Sequence, residues 1–373
     1  MLSVTSQGQV FVGLSGGVDS SVSAALLQQQ GYDVTGVFIK IWSPEWTECT
    51  SKEDRLDAMR VCAHLGIPYK EIDLTDAYKQ EVVDHLISEY KKGRTPNPDV
   101  MCNRFIKFGA FFNWALSEGA DFVATGHYAK VAKSEERGVN REEKQPNTIR
   151  YSLLAGVDST KDQSYFLWTL TQTQLAQTLF PVGGLHKRDV RELARRFKLP
   201  TAEKKDSQGL CFIGHVDIKT FLSRYIQPTQ GDVLGTSGKK IGQHQGAWFL
   251  TIGERHGFII TEKGTNDIPR YIVSKDVVAN TITVGTRKAG EFFKQNEVLL
   301  SDTNWISGSA PDASKEYESQ IRYHGGRMSC RITEGGKKCI FLEVPDALAF
   351  GQSLVVYDGE QCLGGGILEP LSV

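Results

Sequence analysis

The feature that most limits this chain is a strand-to-helix junction near its start. The apolar run Val10–Leu14 leads straight into Ser15-Gly16-Gly17-Val18-Asp19-Ser20-Ser21, and an amphipathic stretch continues from there to Gln30. A glycine turn that opens onto the first amides of a helix is an anion site, because those N–H groups have no intrahelical acceptor. Gly16 and Gly17 let a ligand approach the backbone closely, and Ser15, Ser20 and Ser21 offer hydroxyls. Asp19 is a candidate magnesium ligand beside a bound pyrophosphate. The lysine of the G-x-x-x-x-G-K-[ST] loop is missing, so the cradle is of a different kind.

Beyond the junction, short apolar runs alternate with amphipathic stretches. Strands are expected at Val10 to Leu14, Val34 to Trp42, Tyr69 to Asp73 and Phe122 to Thr125. Helices are expected at Val18 to Gln30, Arg55 to Leu65, Ala77 to Lys92 and Phe105 to Glu118, where apolar residues recur at helical spacing. The order predicts an α/β fold with a doubly wound parallel sheet. Residues 133–150 are almost wholly polar and read as an exposed insertion between two strands. The charged stretch HKRDVRELARRFKL reads as a helix that closes a first domain near residue 216. From Gly231 onward glycine-rich turns separate short β runs, among them Ala247 to Ile252, Arg270 to Ser274 and Thr281 to Val284. The expected division is therefore 1–216, a small central β-rich domain over 217–285, and a barrel-like β domain over 286–373 that includes a strand-like QIRYH.

Lys and Arg number 43 against 44 Asp and Glu, a net charge of −1, so no global field advertises nucleic acid and any RNA contact must use local patches. The densest patch holds Lys187, Arg188, Arg191, Arg195, Arg196, Lys198, Lys204 and Lys205 against Asp189, Glu192, Glu203 and Asp206. It is expected to act as a phosphate rail, continued by Lys239, Lys240, Arg322, Tyr323, His324 and Arg327, with a solvated helix face as the alternative. The 7 cysteines are odd in number and scattered, with no Cys-x-x-Cys pair, which argues against a disulfide framework or a zinc ribbon. With no export signal at its start and no run of about 18 apolar residues, the chain is expected to be a cytoplasmic protein, or an organellar one in mature form, without a membrane span, a monomer by default.

The segment SGGVDS after a first strand resembles the PP-loop of the N-type ATP pyrophosphatases, enzymes that cleave ATP between its α and β phosphates and form adenylates. Four further segments narrow the resemblance: Thr95-Pro96-Asn97-Pro98-Asp99-Val100-Met101-Cys102-Asn103, Ala124-Thr125-Gly126-His127-Tyr128, Lys161-Asp162-Gln163-Ser164-Tyr165-Phe166-Leu167 and Lys205-Asp206-Ser207-Gln208-Gly209-Leu210-Cys211-Phe212-Ile213-Gly214. Together they resemble the tRNA-specific 2-thiouridylases across nearly the whole chain. The resemblance implies thiolation of a wobble uridine in tRNA: ATP adenylates the C2 oxygen, and a protein-bound persulfide then displaces AMP.

By the same resemblance, ATP with Mg would lie along Gly13, Leu14, Ser15, Gly16, Gly17, Val18, Asp19 and Ser20, with Ile39 and Gly126 lining the adenosine pocket. Cys211 would carry the persulfide delivered by a sulfur-donor protein, and Cys102 would attack it, leaving a Cys102–Cys211 disulfide as the spent state. Both cysteines read as loop residues, with Lys91, Lys92, Arg94, Arg104, Lys107, Lys204 and Lys205 nearby to favour thiolate. Asp99 is a candidate general acid or base at the uridine, or else the cap of a helix starting near Cys102. Contacts to tRNA are implied for Asn97, Pro98, Asp99, His127, Lys161, Asp162, Gln163, Arg322, Tyr323 and Gln352. Cys49, Cys62, Cys330, Cys339 and Cys362 read as small apolar packing residues. Two other readings stay open: a synthetase that adenylates a small molecule and admits ammonia, for which no glutaminase segment is evident, and an inert RNA-binding protein that retains ATP as a structural ligand.

Overall fold

The computed structural model describes residues 6–46, 51–136, 148–206, 216–261, 268–286 and 296–371. Strands β1 (Gln9–Gly13), β2 (Asp33–Lys40), β3 (Tyr69–Asp73) and β4 (Phe122–Ala124) are followed by a hairpin, β5 (Ala129–Glu136) and β6 (Thr148–Ala155), and by the short β7 (Thr178–Leu179). Strands β1 to β4 and β7 form one parallel sheet in the order β3-β2-β1-β4-β7. Val10, Phe11 and Val12 are fully buried, as a strand covered by helices on both faces requires. Chain order reverses between β1 and β4, and in such sheets the crevice beyond the carboxyl ends at that reversal receives the ligand. The doubly wound α/β domain expected from the sequence is present.

Helix α1 (Val18–Gln29) leaves β1 through the glycine turn, and α2 (Ser51–Leu65) covers the same sheet. Helices α3 (75–91) and α4 (98–117) each contain a π segment, at Lys79–Asp84 and Cys102–Phe111. The start of α4 departs from expectation. Asn97 caps the helix, its side chain accepting from the amides of Asp99 and Val100, and Pro98 takes the first turn, where its missing N–H costs nothing. Asp99 and Cys102 therefore lie in a helix, not in a loop.

Five strands make the middle sheet: Gly231–Gly235, Lys240–His244, Phe258–Ile260, Tyr271–Asp276 and Thr281–Gly285. The run from Ala247 to Ile252, expected as a strand, is a short helical turn at Ala247–Phe249 followed by an irregular strap. In the last part, Glu297–Trp305, Tyr317–Gln320, Met328–Thr333, Lys338–Phe341, Ser353–Asp358 and Gln361–Glu369 are antiparallel, and Glu297–Trp305 pairs with both Lys338–Phe341 and Gln361–Glu369, closing a barrel. The QIRYH run leaves the sheet after Gln320 and turns, with His324 at φ 57°. Hairpin β5–β6 joins the barrel where Leu153 and Leu154 pair with Cys362 and Gln361, so the polar stretch 133–150 begins and ends as strand. Its tip lies outside the described residues.

Candidate active site

At the glycine turn, Gly16 sits at φ +73° with its α-carbon against the backbone of Asp54, where an added Cβ would fall 2.5 Å from the Asp54 carbonyl oxygen. Gly17 caps α1 without any side-chain bond, so the first amides of the helix are offered to a ligand instead of being closed by the protein. Ser15 and Ser20 hydroxyls lie 3.3 Å apart, and Ser21 donates to the Gly17 carbonyl at 2.7 Å, fixing the turn from within. Gly126, just past β4, lies over the same helix end: a Cβ there would come 2.6 Å from the Ser20 nitrogen. Ile39, near the end of β2, reaches to 3.6 Å from where a Cβ on Gly13 would stand. Leu14 and Val18 are buried beneath the turn. The residues read from the sequence as an ATP site thus meet at the sheet's reversal point, and their bare backbone fits a pyrophosphate.

Asp19, the candidate magnesium ligand, is ion-paired in this structure. Both its carboxylate oxygens accept from Lys187 Nζ, at 2.7 and 2.8 Å, and Tyr128 donates to one of them at 2.8 Å. Lys187 also reaches Asp206 at 2.9 Å, which Lys161 and Arg191 contact at 3.2 and 2.5 Å. Burial alone would raise the Asp206 carboxyl, but Lys187 and Lys161 outweigh it and hold the pKa at about 2. Among the described residues no group of three or more His, Cys, Asp or Glu side chains is placed to hold a metal ion. The same bonds withdraw part of the expected phosphate rail and leave Arg188, Arg195, Arg196, Lys198 and Lys205 exposed. Lys187 and Arg191 face inward, Lys204 is bound to Asp54 and Asp57 at 2.7 Å each, and Arg195 pairs with Glu203.

A second concavity of about 390 Å³ draws on every part of the chain: Asn97, Pro98, Asp99 and Phe166, then Thr251 and Ile252 of the middle strap, then Arg322, Tyr323 and Gln352. It brings together six residues singled out in the sequence. Tyr323 rests on Phe166 with ring centroids 4.4 Å apart, leaving an aromatic wall fit to stack against a base. The loop before Asn97 is clamped from both sides: Thr95 lies 3.3 Å from Thr251 through their hydroxyls, its amide donates to the Phe350 carbonyl at 2.9 Å, and Arg94 forms a forked pair with Glu369. Asp99 is turned into this wall. Burial raises its carboxyl above the ordinary value, and the charge of Lys107 only partly opposes the rise. Since Asn97 already caps α4, the capping role considered for Asp99 is taken.

Other expected site residues are placed differently. Cys102, three residues after Asp99 in α4, is buried at 6% exposure among Val100, Met101 and Ile106. Three of the cations expected to favour its thiolate are paired with carboxylates, Lys92 and Arg94 with Glu89 and Arg104 with Asp302, while Lys107 lies one π turn further along the same helix. Cys211 lies outside the described residues, as does Cys49. Cys62, Cys330, Cys339 and Cys362 are buried in the cores. His127 is buried too, bonded to Thr125 and Lys107, and so is not exposed to a large substrate. Asp162 accepts from the Gly156 amide and the Ser164 hydroxyl, and Gln163 from the Tyr128 amide, so these two hold their loop. Sequence reasoning missed Thr251 and Ile252, whose strap had no polar signature, and the inward role of Lys187. That role had one signal: a phosphate turn lacking its own lysine.

Residues 8–215 match the family described as tRNA methyl transferase HUP domain, residues 219–286 the tRNA methyl transferase PRC-barrel domain, and residues 295–368 the Aminomethyltransferase beta-barrel domain. The tRNA-specific 2-thiouridylase MnmA of Thiobacillus denitrificans is 43% identical over 366 residues, covering 96% of this chain and 99% of that protein. The protein of the same description from Pseudomonas entomophila is 43% identical over 97% of this chain and 94% of its own. Among solved structures, a 4-thiouridine synthetase–RNA complex with bound ATP aligns over 58% of this chain at 19% identity and a TM-score of 0.37. Matched by relatives of one description over almost its whole length, the chain belongs to the tRNA-specific 2-thiouridylase family.

Proposed function

We propose that this protein converts a uridine of tRNA to 2-thiouridine with cleavage of ATP to AMP and pyrophosphate. The observation that carries the reading is the pairing of two half-sites: a glycine turn with uncapped helix amides, and a base-sized pocket built by residues 96–99, 251–252 and 321–323. The exocyclic C2 oxygen of a pyrimidine is a poor leaving group until adenylated, and the two half-sites supply the phosphate donor and the acceptor. The helix amides and Gly16–Gly17 hold the pyrophosphate portion of ATP. Magnesium enters with the nucleotide; Asp19 is committed to Lys187, and no step is assigned to the metal.

In the first step the uridine C2 oxygen bonds to the α-phosphorus, the bond from that phosphorus to pyrophosphate breaks, and the N3 proton passes to Asp99, whose raised pKa suits a base. In the second, the terminal sulfur of a persulfide on Cys211 bonds to C2 and AMP departs. Cys102 thiolate then attacks the Cys211 sulfur, which releases the thiocarbonyl and leaves a Cys102–Cys211 disulfide for external reductant. A donor protein bearing a persulfide recharges Cys211. Within this scheme we assign adenylation to residues 1–216, and tRNA contacts to residues 217–285 and to Arg322, Tyr323 and Gln352 of residues 286–373.

The test follows 2-thiouridine formation in unmodified tRNA with ATP, magnesium and a persulfide donor. Wild type should thiolate, and Cys211→Ser and Cys102→Ser should abolish thiolation from the donor while pyrophosphate release persists. Thiolation at the wild-type rate in both variants would refute the sulfur route.

A further inference from the structure

Cations around the two half-sites are nearly all matched to carboxylates. Lys92 and Arg94 meet Glu89, Arg104 meets Asp302, Lys187 meets Asp19 and Asp206, and Lys204 meets Asp54 and Asp57. Lys107, half-buried in the π segment of α4, differs: among the described residues it forms no salt bridge. Its Nζ lies 3.3 Å from His127 Nε2. An ammonium can only donate, so Nε2 accepts, the imidazole is neutral, and its single proton sits on Nδ1, 2.7 Å from the Thr125 hydroxyl. Burial pushes the imidazole pKa well below its ordinary value and the neighbouring ammonium lowers it further, so the ring stays an acceptor. Phe108 and Phe180 flank that ring, with centroids 5.9 and 6.0 Å away, and keep it from turning.

The position of this cation matters as much as its isolation. On one side it is the charge that Asp99 feels in the base pocket. On the other, His127 follows Gly126, whose α-carbon lies against the first turn of α1. Lys107 is thus linked to the base pocket through Asp99 and to the phosphate turn through His127 and the adjacent Gly126. The π segment helps to place it: Cys102 and Lys107 are five residues apart, the span of one π hydrogen bond, and such segments gather at functional sites. The Asp99 carboxylate offsets this charge without a salt bridge, and once Asp99 takes up the uridine proton the partly buried ammonium is left for an incoming anion.

Resting on the tRNA-thiolation reading, we propose that Lys107 is a catalytic residue that binds the α-phosphoryl group as it passes from ATP to the uridine C2 oxygen, and that neutral His127 is the positioning residue that aims it. As the bond from the C2 oxygen to phosphorus forms and the bond to pyrophosphate breaks, negative charge gathers on the α-phosphoryl oxygens, and the ammonium donates to them. It holds the same group while AMP leaves C2.

The experiment uses the full chain as wild type, Lys107→Met, Lys107→Arg, His127→Phe and His127→Gln. It measures tRNA-dependent pyrophosphate release at saturating ATP, and the binding of AMP and of adenosine by calorimetry. Lys107→Met should lower kcat by about 10²–10³-fold, the loss typical of one donor to a developing oxyanion. It should weaken AMP roughly tenfold or more while leaving adenosine unchanged, and Lys107→Arg should recover part of both. His127→Phe should lower kcat about tenfold at little change in KM for ATP, with His127→Gln, which keeps an acceptor, recovering it. A Lys107→Met enzyme with the wild-type rate overturns the proposal, as does equal weakening of AMP and adenosine, which would assign the residue to the fold. If wild type releases no pyrophosphate with tRNA, the thiolation reading fails instead, and the ratio of AMP to adenosine affinity still judges Lys107.

Discussion

Asp99 and Asn97 stand two residues apart at one helix start, and the structure gives them opposite duties. Asn97 is the cap, accepting from two amides at 3.1 and 3.2 Å. Replacing it with alanine strands both donors and should cost about 1 kcal/mol of stability. Asp99 makes no such contribution. Its carboxyl binds its proton more tightly folded than unfolded, so between the unfolded pKa and the raised folded one the native state holds the extra proton, and stability falls as pH rises through that window. Asp99→Asn removes this loss, so at pH 7 the variant should be at least as stable as wild type. Its activity should move the other way. A general base contributes roughly 10²–10⁴-fold, or about 3–5 kcal/mol of barrier at 1.36 kcal/mol per decade. Urea unfolding and tRNA-dependent pyrophosphate release on the same preparations separate the two. An Asp99→Asn enzyme that keeps its rate within threefold, or unfolds as early as Asn97→Ala, would refute the division of roles.

Three further expectations follow from packing and charge. Arg94→Ala leaves the Glu89 and Glu369 carboxylates without their shared cation, which should cost about 3 kcal/mol at pH 7; because Glu89 and Glu369 both titrate below their ordinary value, wild type should lose this stability as pH falls through their folded pKa values, and a variant with unchanged midpoints at pH 7 would contradict it. Gly126→Ala places a methyl group 2.6 Å from the Ser20 nitrogen and should raise KM for ATP at least about tenfold, read by steady-state kinetics, whereas unchanged KM would remove Gly126 from the nucleotide site. Lys275, which burial lowers to a pKa of about 8 and which donates to the Leu250 carbonyl at 2.7 Å, is deprotonated earlier in the folded chain than in the unfolded one. Stability should therefore rise between about pH 8 and 10, and Lys275→Met should flatten that rise in urea titrations; an identical slope in the two proteins would exclude Lys275 as its source.

The parallel sheet was legible because short strand-like runs alternate with amphipathic stretches: β1, a continuous apolar run, and β3, a mixed one, fall within a residue or so of Val10 to Leu14 and Tyr69 to Asp73. The start of α4 was not, because Pro98 reads as a helix breaker until Asn97 is recognised as the cap in front of it, and that one misreading moved Cys102 from helix to loop. The π segments leave no trace in apolar spacing that differs from an ordinary helix. Charge counting over residues 187–206 misplaced Lys187 and Lys204 for a plain reason: composition records cations but not the carboxylates they meet, and Asp19, Asp54 and Asp57, which hold these two lysines, lie far away in sequence. Residues 322 and 323 were found through resemblance, while Thr251 and Ile252 became visible only when three parts of the chain closed one pocket.

The central claim is that the phosphate turn and the three-part pocket act on one reaction. It is tested most directly by pyrophosphate release from ATP with every sulfur source withheld, measured with and without unmodified tRNA. The account expects release that depends on tRNA and is lost when Tyr323 and Arg322 in the pocket are replaced by alanine. Release at the same rate without tRNA, or undiminished by the pocket substitutions, would contradict it.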